Sequence, residues 1–478
     1  MTTMIIIILS LILVINTIGA VITVFRQSRD IAATWAWLLV LILLPVIGFG
    51  FYLFFGKKLS AEHLYDLRTQ AKLGIDERVT QQKAELRQRR KQNHHSSTPE
   101  IQSLINLFLV SNTAVLTQEN KVSVLTDTTT AQERLLADMS RARDHIHLEY
   151  YAFFDDPFGH ILIKTLAYKA YQGVKVRVIY DGFGSQKVPR SFFKPLEEAG
   201  GQVTPFFSSR FRFINFRLNF RNHRQLVVID GNTAYLGNFN QHSVDTHLPV
   251  RDTRLRVSGD GVLSFQSRFF MDWNAATQRQ KVYYSQHYFP SSVEHGKTSM
   301  QLVSGGPDRD LPEIKLGFLK LIAAAKKRLW IQTPFFIPDD SVLAALILAI
   351  NSGVTVKIMI PEKAKHSLVQ HANLYYARQI VKAGGQIYLY KASAFRARTM
   401  MVDGQLSAVG TANLDIRSFK LNFETTDFLY DPALTNTLEL TFQKDLKASV
   451  PLTKQQLNAQ TTNQRLSQDL ARLLAPIL

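Results

Sequence analysis

Two stretches of the chain carry chemistry-bearing side chains at one common spacing. The first runs His223, Gln225, Asp230, Gly237 and Asn240. The second runs Arg396, Arg398, Asp403, Gly410 and Asn413, each 173 residues after its counterpart. A neutral imidazole is a good nucleophile or base near pH 7, and an imidazolium is a good acid there. Fixed guanidinium and amide donors hold the oxygens of an anion. The chain has no cysteine, which removes disulfides, cysteine-zinc sites and thiol nucleophiles together. A formal charge of +18 on 478 residues implies an anionic partner, nucleic acid or membrane. Composition does not choose between the two.

The elements around these residues repeat as well. An apolar run leads into each aspartate ("QLVVID", "RTMMVD"), and a turn and a further strand lead to each Gly-x-x-Asn. Upstream, "GVKVRVIYD" at 173–181 matches "GVTVKIMIP" at 353–361, and "AGGQVTPF" at 199–206 matches "AGGQIYLY" at 383–390. "HIHLEYYAFF" at 145–154 matches "RLWIQTPFFI" at 328–337, with helical stretches over 161–172 and 341–352 between strands. Alternating strand and helix predicts an α/β fold of two pseudo-symmetric α/β/α halves with mostly parallel sheets, over 101–295 and 296–450. The last segment, 451–478, carries Leu466, Leu470, Leu473 and Leu474 at helical spacing and reads as a helix packed on the domain.

Two apolar runs, about 4–25 and 34–55, are each long enough to cross a hydrocarbon core and predict an N-terminal transmembrane hairpin over 1–56. A cleaved signal peptide fits less well, since there is no basic leader and a second span follows at once. Trp35 and Trp37 suit an interfacial position. Lys57, Lys58, Arg68 and Lys72 outweigh Arg26 and Arg29 and place the large domain on the cytoplasmic side of the membrane. Residues 57–100 read as a basic linker, with Arg87, Arg89, Arg90 and Lys91 able to meet anionic headgroups.

The paired spacing resembles the duplicated HxKxxxxD signature of the phospholipase D superfamily with its following Gly-x-x-Asn. The words "RNHRQLVVIDG", "RDTRLRVSGDGV", "IQTPFFIPDD" and "GTANLDIRSFKLNFE" are similar to those of bacterial cardiolipin synthases, and the likeness runs from the N-terminal hairpin to the final "LLAPIL". The resemblance implies phosphatidyl transfer through a phosphohistidine. One histidine attacks phosphorus, a second from the other half protonates the leaving alkoxide, and lysines and asparagines hold the phosphate. It implies neither cofactor nor metal. It assigns His223, Asp230, Arg396, Arg398 and Asp403 to the catalytic positions, Gln225, Asn240 and Asn413 to substrate binding, and Asp252 and Glu424 to orienting acids. Each acid is expected to face its own motif, Asp252 against His223 and Glu424 against Arg396.

The sequence departs from that signature at three positions. Gln225 and Arg398 replace the lysines, and Arg396 replaces the second histidine. A guanidinium stays protonated at neutral pH and is a poor acid or base. His366 is a candidate for a substitute proton carrier or a headgroup contact. Two readings follow. One is a phosphatidyltransferase that joins two phosphatidylglycerol molecules into cardiolipin and glycerol. The other is an inactive paralogue that binds anionic phospholipid (phosphatidylglycerol, cardiolipin) or pairs with an active synthase as a homo- or hetero-oligomer. A nuclease would explain the charge but not the hairpin, so no nucleic acid partner is expected. The arginine- and phenylalanine-rich insertion 208–221, absent from the second half, suits an anionic lipid interface.

Overall fold

The computed structural model describes residues 98–206, 220–239, 250–277, 279–292, 294–364 and 366–475. Before them it describes 31–44, 47–52, 64–65, 74–91 and the positions Met4, Val14, Ile18, Gly19 and Ile22. The strands of the first half are β1 (Thr117–Leu125), β2 (His145–Tyr150), β3 (Lys175–Asp181), β4 (Gln202–Phe206), β5 (Arg221–Asn222), β6 (Leu226–Ile229), β7 (Thr233–Leu236), β8 (Val250–Arg251) and β9 (Arg254–Ser258). Those of the second half are β10 (Thr298–Gly305), β11 (Arg328–Gln332), β12 (Phe336–Ile337), β13 (Thr355–Pro361), β14 (Gln386–Tyr390), β15 (Ala394–Phe395), β16 (Thr399–Val402), β17 (Leu406–Gly410), β18 (Leu414–Asp415), β19 (Asn422–Tyr430) and β20 (Ser449–Pro451).

One sheet of 16 strands runs through the molecule in the order β20-β14-β13-β11-β16-β17-β19-β10-β1-β9-β7-β6-β2-β3-β4, with β5 joined to β19. Outward from the central antiparallel pair β10 and β1, the two wings repeat the same order, which is the pseudo-two-fold the repeat predicts. The expectation of mostly parallel sheets is corrected. Parallel pairing is confined in this sheet to β2–β3–β4, to β11–β13–β14 and to the short β5–β19 contact. There a helix carries the chain back between strands: Pro157–Tyr171 between β2 and β3, and Asp340–Asn351 with Asp339 as cap between β11 and β13. Where only a tight turn intervenes, as in β6–β7 and β16–β17, the pairing is antiparallel, because a short turn can only reverse the chain. Gly173 and Gly353, at φ of 89° and 90°, make the matching turns from helix into β3 and β13.

Helices cover both faces of the sheet. On one face lie Pro157–Tyr171 in the first wing and Glu313–Ala324, Asp340–Asn351 and Ser367–Ala383 in the second, each over an aliphatic core. On the other, Val262–Ala276 and Pro432–Leu446 share one aromatic-rich core built around Phe265, Phe269, Trp273 and Phe442. Among the described residues no helix is long and apolar enough to cross a membrane. Helix Ile31–Leu43 overlaps the expected second span and Ile47–Phe51 lies within it; most of the first span lies outside the described residues. The C-terminal segment forms two short helices, Lys454–Asn458 and Thr462–Leu473.

Candidate active site

Both motif heads lie where the two wings exchange backbone. The strand β5 leaves its own wing and pairs in parallel with β19 of the other, and the His223 N–H donates to the Phe423 carbonyl at 2.9 Å. In the mirror arrangement β15 pairs with β8, and the Arg396 N–H donates to the Arg251 carbonyl at 2.8 Å. Each crossing delivers the next carboxylate to the foreign motif. His223 Nδ1 lies 3.0 Å from Glu424 Oε1, a carboxylate with no solvent exposure. The expected pairing is therefore reversed: Glu424 serves His223, and Asp252 follows the residue paired with Phe395, beside Arg396. The reason is topological, since each acid follows a strand register that belongs to the opposite half.

The pair has a defined polarity. A carboxylate only accepts, so His223 Nδ1–H donates to Glu424 and leaves Nε2 with its lone pair outward. The Asn422 amide, 3.2 Å from Nδ1, donates instead to Glu424 Oε1 at 3.3 Å. Thr411 Oγ1 donates to Glu424 Oε2 at 2.5 Å, so both carboxylate oxygens are held. The His223 side chain keeps 20% exposure, enough to meet a substrate from one side. The Tyr151 ring stands edge-on to the imidazole, with centroids 4.4 Å apart. Burial and the neighbouring Asp181 raise the Tyr151 hydroxyl, while the charges of Arg221, Arg417 and Arg396 oppose them.

Buried polar layers fix the motif backbones from beneath. Asn222 donates to Glu149 Oε1 at 2.6 Å, and its own N–H donates to Asp181 at 2.8 Å. Arg224 donates to Asp272 at 2.8 Å. Burial, and then the Asp272 charge, push the Glu149 carboxyl up. In the other half Asp445, again 173 residues after Asp272, holds Arg251 through two bonds of 3.0 and 2.7 Å and takes a third from Gln332 at 2.8 Å. Asp415, at the end of β18, caps the helix Ile416–Lys420. Burial raises its pKa to about 6, opposed by its bonds to Ser418, with Glu424 raising and His223 lowering it further.

Asp230 and Asp403, which the resemblance puts at catalytic positions, make their described contacts with backbone N–H groups away from His223. Each ends the strand that begins beside its motif head, so it lies at the far end of β6 or β16. Each takes a left-handed backbone, φ 51° and 53°. The Asp230 carboxylate accepts from the N–H groups of Arg143, Asp144 and His145 at 2.8, 2.9 and 2.9 Å. Asp403 accepts from Lys326, Lys327 and Arg328 at 2.8, 2.9 and 2.7 Å. The aspartates staple the turns that start β2 and β11.

Arg398 Nε donates to Asn413 Oδ1 at 2.6 Å and Nη1 to the Arg396 carbonyl at 3.0 Å, so much of its fork is engaged by the protein itself. The Gln225 carbonyl accepts from Gly237 N–H at 2.9 Å, and its side chain is half-buried. Asn240 and residues 208–219 lie outside the described residues. His366 is exposed at the start of the helix Ser367–Ala383, on the strand-end edge where the site opens. Tyr151, Asn422, Thr411, Asp415, Arg221 and Arg417 were not singled out from the sequence. Thr411, Asp415, Arg417 and Asn422 lie in "GTANLDIRSFKLNFE" and Arg221 opens "RNHRQLVVIDG", so their signal was the likeness of those words to the family; Tyr151 lies in the repeated segment at 145–154.

The family model described as "Cardiolipin synthase, PLD-like domain" matches residues 135–247 and 318–446, and "Phospholipase_D-nuclease N-terminal" matches 5–57. A cardiolipin synthase of Listeria welshimeri is 43% identical over 477 residues, covering 98% of each chain. The major cardiolipin synthase of Bacillus subtilis is 43% identical over 479 residues, covering 99% of each. Among solved structures, phosphatidylserine synthase of Haemophilus influenzae superposes with a TM-score of 0.57 at 13% identity, covering 75% of this chain and 95% of that one, a likeness of fold. With the paired wings and the crossed motif heads, these matches show that the chain belongs to the bacterial cardiolipin synthase family of the phospholipase D superfamily.

Proposed function

We propose that this chain acts on the phosphodiester of phosphatidylglycerol at a cytoplasm-facing membrane surface, through His223, with the proton-transfer half of the reaction impaired. The observation that supports this most strongly is the 3.0 Å contact between His223 Nδ1 and the buried Glu424. That contact leaves Nε2 as the free nucleophile. Attack forms an N–P bond and breaks the bond from phosphorus to the glycerol headgroup, whose oxygen leaves needing a proton. A second phosphatidylglycerol then attacks through its glycerol hydroxyl, gives up that proton, and regenerates the imidazole as cardiolipin forms. Arg396 stands where the proton carrier belongs. Its charge suits the phosphate oxygens, but it neither gives nor takes the proton at neutral pH. General acid–base help contributes about 10²–10⁴ in rate, and that factor is what the substitution forgoes.

A second reading, a lipid-binding paralogue or partner of an active synthase, is favoured by Arg396 and by the Arg398 fork spent on Asn413. The N-terminal hairpin, spanning about 4–25 and 34–55, belongs to both readings as the membrane tether. The test is mass spectrometry of the full chain after exposure to phosphatidylglycerol vesicles. An acid-labile phosphate adduct present in wild type and absent in His223→Ala supports the first reading. Phosphatidylglycerol-dependent thermal stabilisation without an adduct supports the second. Neither effect refutes both.

A further inference from the structure

The C-terminal helix Thr462–Leu473 is docked with its apolar face outward. Its inner face buries Gln468 and Ala471 against the helix Ser367–Ala383, whereas Leu466, Leu470 and Leu473 are 56%, 55% and 72% exposed. The helix packs on the domain, as its spacing suggests, but not through these leucines. A helix serving only to cover the domain would turn its leucines in, and a contiguous apolar stripe left in water marks an interaction surface.

Its position says which surface. The Arg472 guanidinium lies over the Tyr375 ring at 5.3 Å, and Arg378 bonds Asp469 at 2.8 Å, so the two helices run antiparallel. The C-terminal end of the stripe therefore approaches the start of Ser367–Ala383, where Leu368 is also exposed. That start follows β13, at the same strand ends as His223. The apolar rim and the site mouth share one edge of the molecule. Arg465 and Arg472 flank the stripe, and the one acid on the helix, Asp469, is neutralised by Arg378.

We propose that this helix lies in the headgroup–acyl boundary of an anionic membrane and seats the site mouth against the bilayer. The leucines enter the apolar layer, while the exposed Arg465, held by the Leu457 and Asn458 carbonyls, and Arg472, held over Tyr375, set positive charge beside the anionic headgroups. A protein occupant would meet a stripe flanked only by net positive charge on a chain of +18, whereas an anionic bilayer complements both features. The proposal shares with the proposed function only the anionic membrane, and it is independent of turnover.

The absence of native cysteine makes the test direct. Full-length Leu470→Cys, labelled with an environment-sensitive fluorophore, is reconstituted into phosphatidylcholine vesicles with and without phosphatidylglycerol. Gln443→Cys, exposed on the helix Pro432–Leu446 at the other face of the sheet, is the control. The expected result is a blue-shifted emission at position 470, stronger with phosphatidylglycerol and quenched by nitroxide on lipid chains, with position 443 unchanged. Adding Leu466→Gln and Leu473→Gln is expected to abolish the shift while leaving the phosphate adduct at His223 chemically available. A label at 470 that stays open to aqueous iodide in both vesicle types overturns the proposal. So does a shifted label insensitive to lipid nitroxide that cross-links to a second protein. Lipid quenching at 470 in a protein that forms no adduct leaves this inference standing and counts against the catalytic reading alone.

Discussion

Asp403→Ala separates a structural from a catalytic role for the motif aspartates. The carboxylate holds three consecutive N–H groups at 2.8, 2.9 and 2.7 Å. Hydrogen bonds to a charged acceptor contribute about 1.5–3 kcal/mol each where the donor cannot turn to water. The donors of Lys326 and Lys327 are at the surface and regain solvent, so each loss is set near 1 kcal/mol. The Arg328 donor is partly buried and keeps the larger cost. Alanine also tolerates the left-handed backbone less well than aspartate, by about 1 kcal/mol. The sum is about 4.5–6 kcal/mol, or a fall of roughly 9–12 °C in thermal midpoint at about 2 °C per kcal/mol. Asp403→Asn keeps one acceptor oxygen and the backbone tolerance and is expected to lose about half as much. The assay is tryptophan fluorescence of the detergent-solubilised full chain on heating, with phosphatidylglycerol binding measured well below the midpoint. Asp230→Ala is expected to behave alike, and the double variant to add, because the two turns share no partner. An unchanged midpoint with lost lipid binding or turnover would refute the structural assignment.

Glu424→Gln is expected to lower His223-dependent adduct formation by about 10²–10⁴, as loss of an orienting carboxylate does elsewhere, with Asp252→Asn much milder; a reversed order of severity would return each acid to its own motif. Asp427, on β19, has both carboxylate oxygens buried without a hydrogen bond among the described residues, and burial holds its pKa well above the usual range. A carboxyl raised on folding costs stability as pH climbs above its unfolded value of about 3.9, so Asp427→Asn is expected to raise the midpoint at pH 7–8 and to converge with wild type near pH 4. His147 shows the opposite slope. It is fully buried between Gln266 and Arg177, and burial holds its pKa well below normal. Stability from this group is present above the unfolded value of about 6.5 and lost as pH falls, so His147→Gln is expected to flatten the acid side of the pH–midpoint curve; an unflattened curve would place the acid sensitivity elsewhere.

The sequence offset of 173 carried much of the architecture, because both halves place the same strand–turn–strand around each aspartate and the repeat survives where the motif heads do not. The helices over Pro157–Tyr171 and Asp340–Asn351 were legible from periodicity. Strand direction was less so. Helix–strand alternation reports only the outer parallel wings, and the antiparallel centre depends on β1, β9, β10 and β19, whose pairings span the chain. The crossed acids were not legible at all. Asp252 and Glu424 sit 12 and 11 residues after their own asparagines, and nothing local states that β8 and β19 turn to the opposite motif. The backbone contacts of the motif aspartates were hidden for a related reason. A residue fixed in spacing to a histidine suggests chemistry, yet an extended strand carries it to the far edge of the sheet. The C-terminal leucines had the right helical period, but a period does not say which way the stripe faces.

The central claim is that the chain keeps the nucleophilic half of a phosphatidyltransferase site and lacks the proton-transferring half. The rate of cardiolipin formation from phosphatidylglycerol in proteoliposomes tests it most directly, with wild type compared against Gln225→Lys, Arg396→His and Arg398→Lys combined. The combined variant is predicted to be faster by about 10²–10⁴, most of it from Arg396→His, and to lose all activity on further change of His223→Ala. A wild type that already matches the combined variant would mean that another group supplies the proton. A combined variant that is folded, membrane-bound and inert would mean that the pocket around His223 and Glu424 no longer admits the reaction, and either result contradicts the claim.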